Sequence, residues 1–187
     1  PGFLRNKIRY IPVYGGNRST PINKGFEQAR GEYAVLLDDD DIVFDHWVSS
    51  FKEKAEECPG SVIHAYVVSQ KWCLEIDEYG KEVLRAEEAP ENQFCKDFHF
   101  INELYGNSCP VLGLAFPLFP FKEMGFSFDE TLDTTEDWDF LMSISNLCGV
   151  ADVREVTSLY RIWNNAENSH SLHTVDEWNA NRRKIQN

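Results

Sequence analysis

The sequence lacks long apolar runs and has little positive charge. No stretch of about 18 apolar residues occurs, so no transmembrane helix is predicted. The first ten residues include three basic side chains with no apolar segment after them, which gives no support for a signal peptide. Lys and Arg number 18 against 31 Asp and Glu, for a net charge of -13. This balance argues against nucleic acid or anionic lipid as a partner held by a general basic surface.

Cysteine patterns typical of zinc sites and disulfide frameworks are also missing. The five cysteines are odd in number and show no C-x-x-C spacing. Reduced thiols are therefore the default expectation, and we predict a cytoplasmic protein. Peripheral association with the cytoplasmic face of a membrane stays open.

What the sequence does contain is the composition of one globular domain, with 187 residues of which 42% are hydrophobic and 13% aromatic. Residues 8–14 predict a strand, placed near a sheet edge by Pro12. The sequence then predicts a helix that begins at Pro21 after a cap at Ser19 or Thr20 and runs through Ala29 or Arg30, followed by a buried strand at residues 33–37. Strand, helix, strand is the unit of a parallel sheet, so we predict an α/β fold with a mostly parallel, Rossmann-like central sheet flanked by helices.

The remainder of the chain predicts an alternation of further elements. Residues 85–96 are polar and predict a flexible loop. Helices are expected at residues 45–58, 97–105, 121–125, 136–148 and 176–186, and strands at 61–77 (one or two strands), 82–84, 109–119 (irregular and buried) and 153–163.

Four consecutive aspartates follow the strand predicted at residues 33–37. Like charges this close raise one another's pKa, so a cation or several hydrogen-bond donors should neutralise them. Carboxylate oxygens suit Mg²⁺, Mn²⁺ or Ca²⁺. If strand geometry persists, Asp38 and Asp40 share one face, while Asp39 and Asp41 point the other way with structural roles. A solvated acidic turn is the alternative.

A second acidic group stands about a hundred residues later, where Glu136 and Asp137 open a predicted helix. Simple helix capping would explain acids at this position, because a helix N-terminus favours negative charge. Together with the four aspartates, however, these acids indicate a division of roles. The aspartates suit a metal, and the acids of the helix suit the removal of a proton.

The order of these motifs resembles the family 2 glycosyltransferases, which are inverting enzymes with the GT-A fold. The resemblance covers residues 8 to about 171. The matching segments are Asn17, Asn23-Lys24-Gly25, Ala29-Arg30-Gly31-Glu32-Tyr33, Leu37-Asp38-Asp39-Asp40-Asp41, Gly125-Phe126-Ser127-Phe128-Asp129-Glu130, Glu136-Asp137-Trp138-Asp139, Tyr160-Arg161 and Asn168-Ser169.

The resemblance implies catalytic and metal-binding roles. Asp38 and Asp40 would bind a divalent metal, Mn²⁺ or Mg²⁺, on the diphosphate of a nucleotide-sugar, most often a UDP-sugar in this family. His170 would add a third ligand, with a solvated histidine as the alternative. Asp137 would be the general base that deprotonates a glycan or other acceptor hydroxyl, and Glu136 would orient or tune it.

The resemblance also implies donor contacts. They are assigned to Asp38, Asp39, Asn23, Lys24 and Arg161, although an arginine on a strand is more often an ordinary surface ion pair. Family members usually carry a basic side chain where this sequence has Ile22, a place that Arg18 or Lys24 would fill instead.

Family members further carry an amino-terminal strand, helix and strand that hold the nucleotide, and these have no counterpart before Ile8. The chain is therefore expected to be one GT-A-like domain that is truncated at its amino terminus, either as a fragment of a longer enzyme or as a domain that has lost half of its nucleotide site. Residues 1–60 would form part of the nucleotide site, and residues 61–187 the acceptor side with the catalytic helix.

Two functions outside this description stay open. A non-catalytic module of the same fold would bind a glycan, a metal or a partner chain. A metal-dependent phosphoryl or nucleotidyl transferase is the other, although Gly15-Gly16-Asn17-Arg18 is a weak match to a phosphate-binding loop.

Overall fold

A computed structural model describes residues 7–163 and 174–186. Seven strands form one sheet that is flanked by six α-helices within these residues. The strands are β1 Tyr33–Val35, β2 Ile42–Val43, β3 Val62–Ile76, β4 Glu82–Ala86, β5 Glu91–Phe94, β6 Leu114–Pro117 and β7 Val150–Trp163. The helices are α1 Ser19–Gln28, α2 Trp47–Glu57, α3 Phe100–Glu103, α4 Phe119–Met124, α5 Glu136–Cys148 and α6 Val175–Gln186, with a 3-10 turn at Val111–Gly113.

Strand β3 is the centre of the sheet, whose order is β1-β6-β3-β7-β2. Strand β7 pairs with β3 in parallel from Val62 to Trp72, while β6, β5 and β4 pair with it antiparallel. Strands β1 and β2 are also antiparallel to their partners, β6 and β7. The predicted α/β architecture is confirmed, but the sheet is mixed, and its one parallel pairing among the described residues is β3 with β7.

The predicted parallel unit is absent because residues 8–14 form no strand. Ile8, Tyr10 and Tyr14 are largely exposed, with 69%, 89% and 93% of their surface accessible. Strand β1 instead takes β6, from much later in the chain, as its antiparallel neighbour. The predicted loop at residues 85–96 was also wrong in part, since it contains the last residues of β4 and all of β5.

Two apolar layers cover the sheet, one on each face. The first packs α1 and α5 onto the sheet through phenylalanines, and the rings of Phe128 and Phe140 stack with centroids 4.1 Å apart. The second packs Trp47 and Phe51 of α2 against the opposite face. Neighbouring residues of β3 point into different layers, Val62 into the first and Ile63 into the second, as strand alternation requires.

Two asparagines bring the start of α1 close to the start of α5. The Asn17 side-chain amide donates to the carbonyls of Glu130 and Leu132 at 2.9 and 2.8 Å. The Asn23 side chain both donates to the Phe128 carbonyl and accepts from the Phe128 amide, each at 2.9 Å. These bonds bind α1 to the segment that leads into α5.

The carboxyl-terminal helix α6 is fastened to the same region. Asn181 is buried and donates to the Thr134 hydroxyl at 2.9 Å. Gln186 donates to the Leu104 carbonyl at 2.6 Å, and Arg182 donates to the Tyr105 carbonyl. None of the described helices is long and apolar enough to cross a membrane.

Candidate active site

The four aspartates form a turn rather than an extension of β1. The Asp41 amide lies 3.4 Å from the Asp38 carbonyl, which closes residues 38–41, here called the aspartate turn. Carboxylate oxygens of Asp38, Asp40 and Asp41 lie within 4.8 Å of one another, whereas Asp39 is exposed. The expected alternation of faces is thus wrong for Asp41, because the strand ends at Val35 and the turn folds this side chain towards the others.

Strand β7 holds the aspartate turn in place. The Arg161 amide donates to an Asp41 carboxylate oxygen at 3.0 Å, and the Arg161 side chain donates to the Asp40 carbonyl. The Trp163 indole donates to an Asp40 carboxylate oxygen at 2.9 Å. The Arg161 guanidinium lies 5.3 Å from the ring centroids of both Trp72 and Trp163, a distance typical of cation–π contacts. These contacts show Arg161 supporting the turn, and its contact with a donor stays a prediction.

The acid pair, Glu136 and Asp137, forms the first turn of α5. Thr135 before it has φ of 65°, a left-handed conformation that is strained for a β-branched residue. The Trp138 amide donates to an Asp137 carboxylate oxygen at 2.7 Å. Glu136 is buried, whereas Asp137 is partly exposed. Burial is the main cause that raises the pKa of both carboxyl groups above the ordinary range.

Arg18 joins the two acidic groups. One guanidinium nitrogen lies 2.7 Å from an Asp38 carboxylate oxygen, and the Nε atom lies 2.9 Å from a Glu136 carboxylate oxygen. Arg18 is the residue directly before α1, so its position follows from the asparagine bonds that hold this helix beside α5.

These groups face one cleft with a volume of about 260 Å³. Arg18 and the acid pair line one part of it. Its other lining residues include Asp38, Asp41, Phe94, Asn107, Asp133, Tyr160 and Trp178. Asp40 contributes to the aspartate turn beside the cleft but is not part of the lining, because its carboxylate turns to the Trp163 indole.

The other candidate site residues lie away from the cleft or outside the described residues. The Asn23 side chain is engaged with Phe128 and with the Glu130 carboxylate, 3.0 Å away. Lys24 pairs with Glu27 at 2.6 Å, one turn along α1. A donor contact for these two side chains stays a prediction. His170 lies outside the described residues.

The aspartate turn has the chemistry of a site for a hard divalent metal. Three carboxylates supply oxygen ligands from a single short segment. Burial is the largest cause that raises the pKa of Asp41 to about 7, and the negative charges of Asp40 and Asp38 add to it, against the hydrogen bond from Arg161. A bound cation would offset this repulsion. The donor set therefore fits Mg²⁺ or Mn²⁺.

A sequence model described as "Glycosyl transferase family 2" matches residues 4–107, more than half of the chain and including the aspartate turn. The chain belongs to glycosyl transferase family 2. No curated protein sequence gives a significant match.

This family 2 domain is also similar to solved structures of TarS from S. aureus. The crystal structure of TarS 1-349 in complex with UDP-GlcNAc matches with a TM-score of 0.64 and 15% identity over 99% of this chain and 56% of that one. A second crystal structure of TarS 1-349 matches with a TM-score of 0.60 and 17% identity over 86% of this chain and 46% of that one. At such identities the likeness concerns the fold, which is GT-A. The chain spans about half the length of the structures it matches.

Two residues that line the cleft, Arg18 and Asp41, make more contacts there than the sequence predicted. Arg18 was considered only as a substitute donor contact, and Asp41 only as a structural residue. The signal for Arg18 was its place beside Asn17 at a helix start, but its two partners lie 20 and 118 residues later in the chain. Such distant pairing leaves no periodic pattern in the sequence.

Proposed function

We propose that this chain is the catalytic part of a glycosyltransferase that moves a sugar from a UDP-sugar to an acceptor hydroxyl with inversion at the anomeric carbon. The observation that carries the proposal is the cleft itself. Acids from two distant segments face it, Asp38 and Asp41 from the aspartate turn and the acid pair from α5. Membership of family 2 supports the same reaction class, and the UDP-GlcNAc complex of a structurally similar protein supports the choice of donor.

Asp137 is the general base in this proposal. One carboxylate oxygen accepts from the Trp138 amide, which fixes the orientation of the group. The Asp137 carboxylate also lines the cleft, where it can take the proton of an acceptor hydroxyl. The pKa of Asp137 is raised by burial, and a base is most effective when its pKa lies near the working pH.

The donor diphosphate lies at the aspartate turn in this proposal. Asp38, Asp40 and Asp41 would hold a divalent metal. When bound, such a metal supplies positive charge that stabilises the diphosphate leaving group. Arg161 and Trp163 keep the carboxylates oriented through their bonds to Asp40 and Asp41.

The size of the cleft suits one sugar rather than a complete donor. Its volume of about 260 Å³ lies just below the ~300–1,000 Å³ of pockets that enclose drug-sized ligands. We therefore assign it to the transferred sugar and the acceptor hydroxyl. In this arrangement the hydroxyl attacks the anomeric carbon from the side of Asp137, opposite the departing diphosphate, which inverts the configuration.

The test is sugar transfer or donor hydrolysis with a panel of nucleotide-sugars and Mn²⁺. Asp137→Asn removes the base and should lower the rate about 100-fold or more, the usual contribution of a positioned general base. Asp139→Asn is the matched control, since Asp139 lies in the same turn of α5 but does not line the cleft. An Asp137→Asn variant that keeps the wild-type rate would refute the assignment of the base.

A second candidate is a non-catalytic module of the same fold, which is favoured by the side chains of Asn23 and Lys24, two expected donor contacts that bond Phe128 and Glu27 and do not line the cleft. Calorimetry separates the two. Binding of Mn²⁺ and UDP to the folded chain supports the transferase, whereas binding of neither supports the module. The division of the chain at residue 60, the cytoplasmic location and the peripheral membrane association remain predictions.

A further inference from the structure

Arg18 spans the gap between the two acidic groups with two nitrogens of one guanidinium. Its Nε atom bonds Glu136, and a terminal nitrogen bonds Asp38. Because the two contacts use different nitrogens, one can break while the other remains.

The two ends of this bridge differ in their access to solvent. The Glu136 side chain is 4% exposed, whereas the side chains of Asp38 and Arg18 are 40% and 41% exposed. A buried carboxylate without its cation is costly, so the bond to Glu136 should persist. An ion pair open to water contributes little free energy, so the Asp38 bond is the one that a competitor displaces.

We propose that Arg18 is a built-in counter-ion of the aspartate turn, which a divalent metal displaces from Asp38, and that its freed nitrogen then bonds the donor diphosphate. This inference deepens the proposed function and rests on it for the identity of the donor.

Competition follows from the position of the Asp38 carboxylate. Its Oδ2 atom already accepts from Arg18, while Asp38 is one of three residues whose oxygens cluster within 4.8 Å. A cation bound by this cluster would lie close to the guanidinium. Like charges repel at such distances, so metal binding and the Arg18 contact to Asp38 oppose each other.

The second half of the inference follows from the anchoring of Arg18 by Glu136. Once released from Asp38, the guanidinium stays at the cleft, which Arg18 lines together with Asp38 and Asp137. Guanidinium groups bind phosphate oxygens with strong, directional hydrogen bonds. Lys24, the basic side chain within α1, is paired with Glu27 and does not line the cleft.

The experiment measures two affinities of the full chain with opposite expected changes. Mn²⁺ binding without nucleotide is measured from the electron paramagnetic resonance signal of free Mn²⁺, and UDP binding at saturating Mn²⁺ is measured by calorimetry. In Arg18→Gln, Mn²⁺ should bind about fivefold more tightly, as expected for removal of a weak competing ion pair. UDP should bind about tenfold more weakly, since a charge-assisted hydrogen bond is lost.

Arg85→Gln is the matched control, because it removes the same charge from a solvent-exposed pair between Arg85 on β4 and Glu75 on β3. It should change neither affinity. Equal or weaker Mn²⁺ binding by Arg18→Gln, or no Mn²⁺ binding by any variant, would overturn the counter-ion role. Tighter Mn²⁺ binding with unchanged UDP affinity would overturn the transfer of the contact to the diphosphate.

If Arg18→Gln fails to fold because Glu136 stays charged and buried, the comparison moves to Glu136→Gln with and without Arg18→Gln. Both changes are expected in the same directions between these two variants but smaller in size, because the charged anchor of Arg18 is then absent. The proposed function is tested separately, by measuring sugar transfer with the wild-type protein. Absent transfer together with both affinity changes would count against that function and leave the role of Arg18 standing.

Discussion

The aspartate turn and the acid pair face the same cleft but manage negative charge in opposite ways. Three carboxylates of the turn lie close together near the surface, and burial with mutual repulsion raises the pKa of Asp41. The acid pair is built into the start of α5, where Asp137 accepts a backbone amide and Glu136 bonds Arg18. The three carboxylates of the turn receive one ion pair from Arg18, and that pair is open to solvent, whereas the acid pair has a buried bond from Arg18 and a backbone amide.

The largest effect should come from removing a carboxylate of the turn. Asp38→Asn should weaken Mn²⁺ binding by about 100-fold. Losing a residue that only orients a metal ligand lowers metal affinity by about 10- to 100-fold, and losing a ligand itself should cost at least as much. Asp39→Asn removes the same charge from an exposed neighbour and should change binding about twofold at most. Calorimetry with Mn²⁺ measures both. Similar losses in the two variants would mean that the turn attracts cations only by its overall charge.

A smaller loss is expected when the support of the turn is weakened. Trp163→Phe keeps an aromatic ring but removes the indole donor to Asp40, so Mn²⁺ should bind about tenfold more weakly. Trp72→Phe is the control, because Trp72 packs on the same guanidinium and its indole donates to Gln70 instead. Equal affinities for the two variants would show that the hydrogen bond to Asp40 does not orient the metal ligands.

The pH dependence of stability should also separate the two groups. A carboxyl group whose pKa is raised by folding favours the folded state at low pH, and this contribution is lost as the pH rises through the raised pKa. For Asp41 the window runs from its ordinary value of 3.8 to about 7. With metal removed by EDTA, the melting temperature should fall between pH 5 and pH 8.

Asp41→Asn should melt at a higher temperature than the wild type at pH 8 and show little difference at pH 5. Some pH dependence should remain in this variant, because burial also raises the pKa of both members of the acid pair. Added Mn²⁺ should reduce the difference between the proteins at pH 8. Parallel melting curves across the whole range would contradict the titration of Asp41.

The smallest effect concerns the strained residue before the acid pair. Thr135 has φ of 65°, which glycine adopts without a steric penalty. Thr135→Gly should be more stable than Thr135→Ala by ~1 kcal/mol in urea unfolding, because alanine retains the strain of the left-handed conformation. Mn²⁺ affinity should be the same in both variants, since the turn does not depend on this backbone. A more stable alanine variant would show that the strain is absent.

Helices with clear end signals could be predicted from the sequence alone. Helix α5 has the predicted bounds, Glu136–Cys148, because acids favour its start and Gly149 ends it with a positive φ. The strands on either side of Gly80 were also predicted, at residues 61–77 and 82–84, and they form the antiparallel pair of β3 and β4.

Pairing between distant strands could not be predicted. The apolar pattern of residues 8–14 suits a strand, but these residues pair with none of the described strands, and β1, the last strand of the sheet order, pairs with β6. Likewise, the side chains of the aspartates were expected to alternate between two faces, as in a strand. This alternation does not reach them, because β1 ends at Val35. The two acidic groups were found by sequence, whereas Arg18 between them required the fold.

Helix α6 contributes no acidic residue to the cleft, yet its contacts limit how far the chain can be shortened from the carboxyl-terminal side. A protein cut after Trp163 would keep the aspartate turn and the acid pair while losing the bonds from α6 to Thr134, Leu104 and Tyr105. It would also lose Trp178 from the wall of the cleft. A minimal fragment for biochemistry should therefore extend through Gln186, well past the end of the family match at residue 107.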